Sequence, residues 1–408
     1  MTVVAEGALH ISAGRDTTRL SSGHHSGHRE EANAADLGTD LVLLGASVVL
    51  LGLGLVLVYS ASSAFAAKKF DDATHFLLYQ AAYGLLGLGL AWWANKKSSD
   101  VLAKVAPYFF GAASLACLVV LIPGIGKLAN GARRWLAVGP LGFQPSELAK
   151  LAVVLVLALV LARRDRRTTH QRPSLLAPVL LVQVPVVLML AEPDLGTALV
   201  IELVAAAMIF AGGLKPKTLL VLVLAALPAL YHLVVGTPFR LQRLMSYIDP
   251  WAYRSSVGYQ ITESLISIGS GGLWGVGLGG GKHKLFFLPE AHTDFIFAIL
   301  AEELGLIGVV VVLAAFALFV WRGFYIAIRA RNPFDSYLAV GLTALVGVPA
   351  VFNVGVATGL LPTKGLPLPL ISYGGSNLVM TLVAIGLLLR VAKDASSGRR
   401  EESRGEGR

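Results

Sequence analysis

The sequence predicts an all-α integral membrane protein: a polytopic bundle of about ten transmembrane helices with a large extracytoplasmic loop between helices 7 and 8. Three observations predict it. Hydrophobic residues make up 55% of the 408 and charged residues only 14%, with a mean hydropathy of +0.69. A water-soluble chain carries charge on nearer a quarter of its residues. Apolar stretches close to the ~20 residues that cross a bilayer recur along the whole chain. The basic residues fall in short runs between those stretches, such as Arg163-Arg164-Asp165-Arg166-Arg167 and Lys96-Lys97, as the positive-inside rule arranges them.

The predicted spans are 40–61, 75–94, 105–123, 146–162, 174–191, 196–213, 217–235, 293–321, 336–358 and 372–391. Pro and Gly inside several of them are tolerated, because neighbouring helices re-satisfy the backbone. With both termini in the cytoplasm, the inner loops hold about twice as many Lys and Arg as the outer loops, which fixes the expected orientation. Residues 1–39 read as a cytoplasmic disordered tail, 40–392 as the ten-helix domain and 393–408 as a cytoplasmic C-terminal tail. The first 39 residues lack the apolar core of a cleavable signal, so the first span is expected to act as an uncleaved anchor. His24, His25 and His28 read as part of that polar tail rather than as a metal site.

A net charge of +9 raises nucleic acid as a partner, but its confinement to loops between apolar spans argues against that class. Cys117 is the sole cysteine and lies in an apolar segment, which excludes disulfides and thiolate metal sites.

The loop 236–292 is too long for a simple connection. It carries Arg240, Arg243, Arg254, Lys282 and Lys284 on the outer side, against the topology bias, and so points to an anionic ligand. Residues 258–269 read as an amphipathic helix with Ile261, Leu265 and Ile268 on one face, lying on the membrane surface or re-entering it. The run from Gly275 to His283 fails as a phosphate loop: Val276 stands five before Gly281, and His283 replaces the Ser or Thr that would hold magnesium. Two readings stand for it: a loop packed closely against helices, or backbone amides and Lys282 touching a diphosphate.

Candidate chemistry collects at the outer helix ends. Glu290, His292 and Asp294 crowd into five residues at the mouth of an apolar helix. Asp294 either caps that helix or serves as a base or an ion ligand. Glu147 and Lys150, three apart, share a helix face and form either an internal salt bridge or part of a polar cavity. Arg133 and Arg134, with Trp135 beside them, add cations on the same side. Glu192 and Asp194 flank Pro193 at another outer boundary. The Pro/Gly-broken segment from Gly359 to Ser376, with Lys364 as a headgroup-binding candidate, needs a covering of protein or a wet cavity at membrane depth. Together these groups suit a lipid-linked diphosphate with sugars projecting outward. The residues alone leave transport and reaction both open.

The motifs NGARRWL, QPSELAK, EPDLGTA, RLQRLMSYIDPW, GYQITESLISIGSGG, LPEAHTDFIFAILAEELG and GLLPTKGLPLPLISYGGS closely resemble the shape, elongation, division and sporulation family of bacterial membrane glycosyltransferases. The resemblance spans Tyr59 to Arg390, and EAHTDF and LLPTKG match its division branch. Asn377, where the family usually has a second Ser, and Pro367, for a common Thr, depart from the pattern; neither is expected to touch a charged position. The resemblance implies polymerisation of lipid II into glycan strands for septal wall synthesis at the bacterial cytoplasmic membrane. It also implies a class B penicillin-binding transpeptidase partner (FtsI-like) and activators of the FtsQ-FtsL-FtsB type. Asp294 would be the essential carboxylate, with Glu147 and Lys150 lining the cavity. Gln260, Glu290, His292 and Ser372 are further substrate-contact candidates within these motifs. In the expected reaction Asp294 deprotonates the acceptor hydroxyl, which displaces the donor's diphosphate with inversion. Arg133, Arg134, Lys150, Arg240, Arg243 and Lys364, with Mg2+ or Mn2+ as a candidate ion and no organic cofactor, would stabilise the leaving group. The alternatives are a lipid II flippase, which needs no positioned base, and a non-catalytic scaffold, which needs no buried charge.

Overall fold

The computed structural model describes residues 40–405, apart from 130, 139–140, 166–174 and 286–287. The expectations for residues 1–39, including the His24–His25–His28 cluster, and for Arg166 and Arg167 lie outside the described residues. The ten expected spans are present as α1 (Leu41–Phe70), α2 (His75–Asn95), α3 (Ser99–Val120), α4 (Pro145–Asp165), α5 (Leu176–Ala191), α6 (Leu195–Ala211), α7 (Pro216–Val235), α10 (Ile296–Arg329), α11 (Pro333–Ala357) and α12 (Gly375–Gly405). Seven of them are long and apolar enough to cross a membrane on length and composition, and α5, α6 and α7 add shorter apolar stretches.

Helix starts follow the sequence's capping residues. Asp40 accepts from Leu43 N at 3.0 Å, Asp194 from Thr197 N at 3.1 Å, and Asn332 from Asp335 N at 2.9 Å, each satisfying an orphan first-turn amide. Lengths depart from expectation where helices outrun the bilayer. The 30 residues of α1 span ~45 Å at 1.5 Å per residue, against ~30 Å of hydrocarbon, so it continues nine residues past the predicted end. The helix α12 likewise continues through the expected tail boundary at 393.

Helix α4 is the hub. Its residues from Pro145 to Leu159 are buried except for Leu148, as are Leu161 and Ala162, and α3, α11 and α7's neighbour α6 pack around it. Large apolar side chains on α1, α2, α5, α7 and α10 face outward, Leu85, Val187, Val221 and Val310 among them. In a membrane that surface meets lipid.

All elements between α7 and α10, together with the 358–374 segment and the α3–α4 connection, gather at one end of the bundle, here the loop end. Two features there have no counterpart in the sequence reading. Residues 126–143 fold as a three-stranded antiparallel sheet, β1 (Gly126–Ala129), β2 (Ala132–Val138) and β3 (Leu141–Phe143), in the order β1-β2-β3. A further helix, α8 (Pro238–Ile248), starts the long loop. The amphipathic segment is α9 (Tyr259–Gly271), but it packs on α10 and α11 rather than lying free. Ile261 is buried as expected, but so are Thr262, Ser264 and Ser267; Thr262 donates back to Gly258 O at 3.1 Å, whereas Ser264 donates to Ala357 O at 2.8 Å and Ser267 to Ala298 O at 3.2 Å.

Candidate active site at the loop end

The glycine-rich run resolves first, because it frames the site. It folds back onto a break in α10, where Gly305 has φ 64°. A Cβ on Gly305 would lie 2.3 Å from Gly275 N, and one on Gly275 would lie 2.2 Å from Glu303 O, so both positions demand glycine. The amides beyond it do not wait for a phosphate. Lys282 N donates to Glu302 Oε1 at 2.8 Å, His283 Nδ1 lies 3.0 Å from the same oxygen, and Ser267 Oγ donates to Oε2 at 3.1 Å. The adjacent Glu303 is paired with Lys284 at 2.6 Å and accepts from Ser60 of α1 at 2.7 Å. The diphosphate reading of this run is therefore corrected: its amides cradle an internal carboxylate. Lys284 is spent inside the protein, and Arg254, although exposed, is paired with Glu263 at 3.2 Å.

Asp294 lies in the turn before α10. Glu290 takes a left-handed φ of 55°, and its carbonyl accepts from the amides of Thr293, Asp294 and Phe295 at 3.1–3.2 Å. The cap expected of Asp294 is absent: Phe295 occupies the N-cap position and no side chain caps the helix. The Asp294 carboxylate is thus not committed to helix amides. It faces the 358–374 segment, where a Cβ on Gly365 would come 2.8 Å from its Oδ2. Burial raises the Asp294 pKa to about 7, with Glu290 pushing the same way and Arg243 opposing.

One cation acts directly on this carboxyl, and it belongs to a wider group of charges. Arg243, on α8, is Asp294's main opposing charge and also reaches Thr363 O at 3.5 Å. Lys364 is pushed down to about 8 by burial, then by Arg243, Arg240 and Arg134, with Asp194 acting against them. Arg134 is anchored to the α5–α6 turn through Glu192 O at 3.0 Å and Pro193 O at 2.6 Å. The structure thus brings together Arg134, Asp194, Arg240, Arg243, Asp294 and Lys364. Arg133 is not among them, because neighbouring side chains on β2 point to opposite faces of the sheet. Glu192 itself is fully buried with both carboxylate oxygens unpartnered. Burial and then Asp194 raise it to about 8, so it holds a proton at neutral pH.

Several expected substrate contacts have other work. His292 is packed among Phe76 at 4.7 Å, Phe65 at 5.9 Å and Tyr373 at 5.9 Å; burial lowers its pKa and keeps the ring neutral. Ser372 Oγ donates to Thr293 O at 2.6 Å and accepts from Leu368 N at 2.8 Å, which leaves it structural. Glu290 is exposed and holds Thr293 Oγ1 at 2.8 Å. Gln260 is half-buried on α9. Glu147 and Lys150 form a buried pair at 2.8 Å, and Asn377 Nδ2 donates to Glu147 Oε2 at 3.2 Å. Asn377 therefore does touch a charged position, contrary to expectation, and neither member of the pair is among the charges acting on Asp294. Glu302, Glu303 and Asn353 escaped the sequence reading, although two glutamates inside an apolar helix were a visible signal.

Among the described residues no three His, Cys, Asp or Glu side chains are grouped to hold a divalent ion.

Comparison with known proteins agrees with this arrangement. A family model for FtsW/RodA/SpoVE cell cycle proteins matches residues 41–397. Probable peptidoglycan glycosyltransferases FtsW from Geobacter sulfurreducens and Legionella pneumophila are 44% and 45% identical over 354 and 356 residues. Each match covers 86% of this chain, and 95% and 90% of those proteins. A chain from a peptidoglycan synthase complex, solved for its coordination of polymerization and crosslinking, superposes with TM-score 0.73 at 34% identity, covering 88% of this chain and 99% of that one. Thermus thermophilus rod shape determining protein RodA does so with TM-score 0.65 at 34% identity, covering 88% and 98%. Matched over nearly all of its helical domain in both sequence and fold, the chain belongs to the FtsW/RodA/SpoVE family.

Proposed function

We propose that this protein is a peptidoglycan glycosyltransferase of the FtsW type that polymerises lipid II during septal wall synthesis, with Asp294 as its general base. The single observation that carries the site assignment is an uncommitted carboxyl with a pKa of about 7, held within electrostatic reach of Arg243 and against Gly365. A base poised near the operating pH keeps both a useful ionised fraction and a real affinity for the proton.

In this reading both termini are cytoplasmic and the loop end faces outward across the bacterial cytoplasmic membrane at the division septum. Asp294 takes the proton of the acceptor sugar hydroxyl. The oxygen attacks the donor's anomeric carbon, and the lipid diphosphate departs from the opposite face with inversion. Arg134, Arg240, Arg243 and Lys364 stabilise the charge that develops on the diphosphate, in a setting partly screened from water where such contacts count most. The buried Glu147–Lys150 pair ties α4 to α12 through Asn377. A class B penicillin-binding transpeptidase would cross-link the strands, consistent with the synthase complex among the structural relatives, and an FtsQ-FtsL-FtsB-like complex would activate the pair.

The test reconstitutes the chain with its transpeptidase in liposomes containing lipid II and compares it with Asp294→Asn. Loss of polymer with a folded variant is expected; undiminished polymer sinks the base assignment. Translocation of lipid II without any polymer from the native complex would favour a flippase instead.

A further inference from the structure

Three consecutive carbonyls just ahead of α10 are each held by a different donor. His292 O accepts from Tyr373 N at 2.9 Å, Thr293 O from Ser372 Oγ at 2.6 Å and Asp294 O from Asn353 Nδ2 at 2.8 Å. The third differs in kind. Asn353 lies on α11, is 1% exposed, and its Nδ2 donates again, to Leu366 O at 2.8 Å. One carboxamide thus pins the backbone of the carboxylate residue and, 72 positions on in sequence, the backbone next to Gly365, against which that carboxylate lies.

The cost of this arrangement marks its purpose. Asn353 Oδ1 is buried and has no partner, and such a group is retained only where its donors matter. A leucine would fill the same volume without that penalty. Neither the α10 turn nor the 358–374 segment has regular structure to fix its place. Their separation sets how closely the Asp294 carboxylate lies against Gly365.

We infer that Asn353 is a positioning residue for glycosyl transfer: its two donated hydrogen bonds fix the Asp294 carboxylate against the Lys364–Gly365 backbone. The inference rests on the reading of Asp294 as the base. Displacing a reacting group by about 1 Å costs on the order of 10²-fold in rate, so losing the clamp acts on turnover rather than on substrate affinity.

The experiment measures lipid II polymerisation by the full chain with its transpeptidase in liposomes for Asn353→Leu and Asn353→Gln, with thermal unfolding of each. For Asn353→Leu the expectation is about a 10²-fold fall in kcat with KM within a few-fold. The acid limb of its pH profile moves to lower pH as the released carboxylate gains water. Asn353→Gln, which keeps two N–H groups, recovers most of the rate. An unchanged kcat and pH profile for Asn353→Leu would overturn the inference. So would equal losses in both variants that simply follow their unfolding temperatures, since that is the mark of packing alone. Asp294→Asn in the same assay separates the two claims: if it stays active the base reading fails, whereas if only Asn353→Leu stays active the clamp fails and the base stands.

Discussion

Replacing Asp294 by Asn should abolish synthesis and at the same time stabilise the protein. The folded pKa of about 7 lies about three units above the reference 3.8, and each unit is worth ~1.4 kcal/mol. Holding this carboxyl ionised therefore costs the folded state up to ~4 kcal/mol. Partial exposure of the site trims that to on the order of 2–4 kcal/mol. The sign follows from proton counts: between pH 3.8 and 7 the folded state binds the extra proton, so its stability falls as pH rises, and the full penalty is present above pH 7. Asparagine copies the protonated form and escapes it. Thermal unfolding of purified protein in detergent should give Asp294→Asn the higher Tm at pH 8, with the gap shrinking by more than half at pH 5. Polymerisation by the same variant should drop by about 10²–10⁴-fold, the usual share of one general base. A variant Tm equal to or below native at pH 8, or a gap independent of pH, would refute a desolvated, ionisable Asp294.

The activity of the native protein should follow a narrow bell in pH, rising through about 7 as Asp294 ionises and falling above about 8 as Lys364 loses its proton. Arg243→Gln removes the charge that favours ionised Asp294 and should move the acid limb upward, which initial rates across a buffer series would reveal. Gly365→Ala puts a methyl 2.8 Å from the Asp294 carboxylate and should cut the rate at least tenfold while Tm changes little. Lys284→Met strands Glu303 without its partner inside the bundle and should cost about 3–5 kcal/mol in denaturant or thermal unfolding; adding Glu303→Leu should recover much of it.

The spans were legible because a bilayer imposes a length and a composition on every crossing segment, and no tertiary detail is needed to see it. Their ends were not, where helices such as α1 and α12 continue beyond the hydrocarbon and polar residues no longer mark a stop. The sheet at 126–143 was missed for a different reason: its strands are only 4, 7 and 3 residues long, too short for alternation to register. At the site, residue type singled out Asp294, Lys364 and Arg243 as charges out of place at a membrane boundary, and Arg243 links the other two electrostatically in the fold. It could not show that His292, Ser372 and the Lys282 amide each meet a partner well removed in sequence. Asn353 gave no signal at all, since one Asn in an apolar helix reveals nothing about which carbonyls it will meet.

What separates the proposed base from the structural carboxylates in this bundle is satisfaction, not placement. Asp294 and the Glu302–Glu303 pair lie within ten residues of one another, in the turn before α10 and inside it, and all three are acids in apolar surroundings. Glu302 takes bonds from two backbone amides, a histidine ring and a serine, while Glu303 takes a lysine and a serine. Nothing remains on them for a substrate. Asp335, at the opposite end, is equally occupied, by Arg390, Ser99 and Asn332. Lack of partners is not sufficient either, because Glu192 has none, but it is sealed at 0% exposure, where it can keep a proton and meet no ligand. Asp294 alone among these five acids combines an uncommitted carboxylate, partial exposure and an arginine within electrostatic reach. A base must be unsatisfied enough to want a proton and open enough to be offered one, and that pair of conditions singles out Asp294 without reference to any motif.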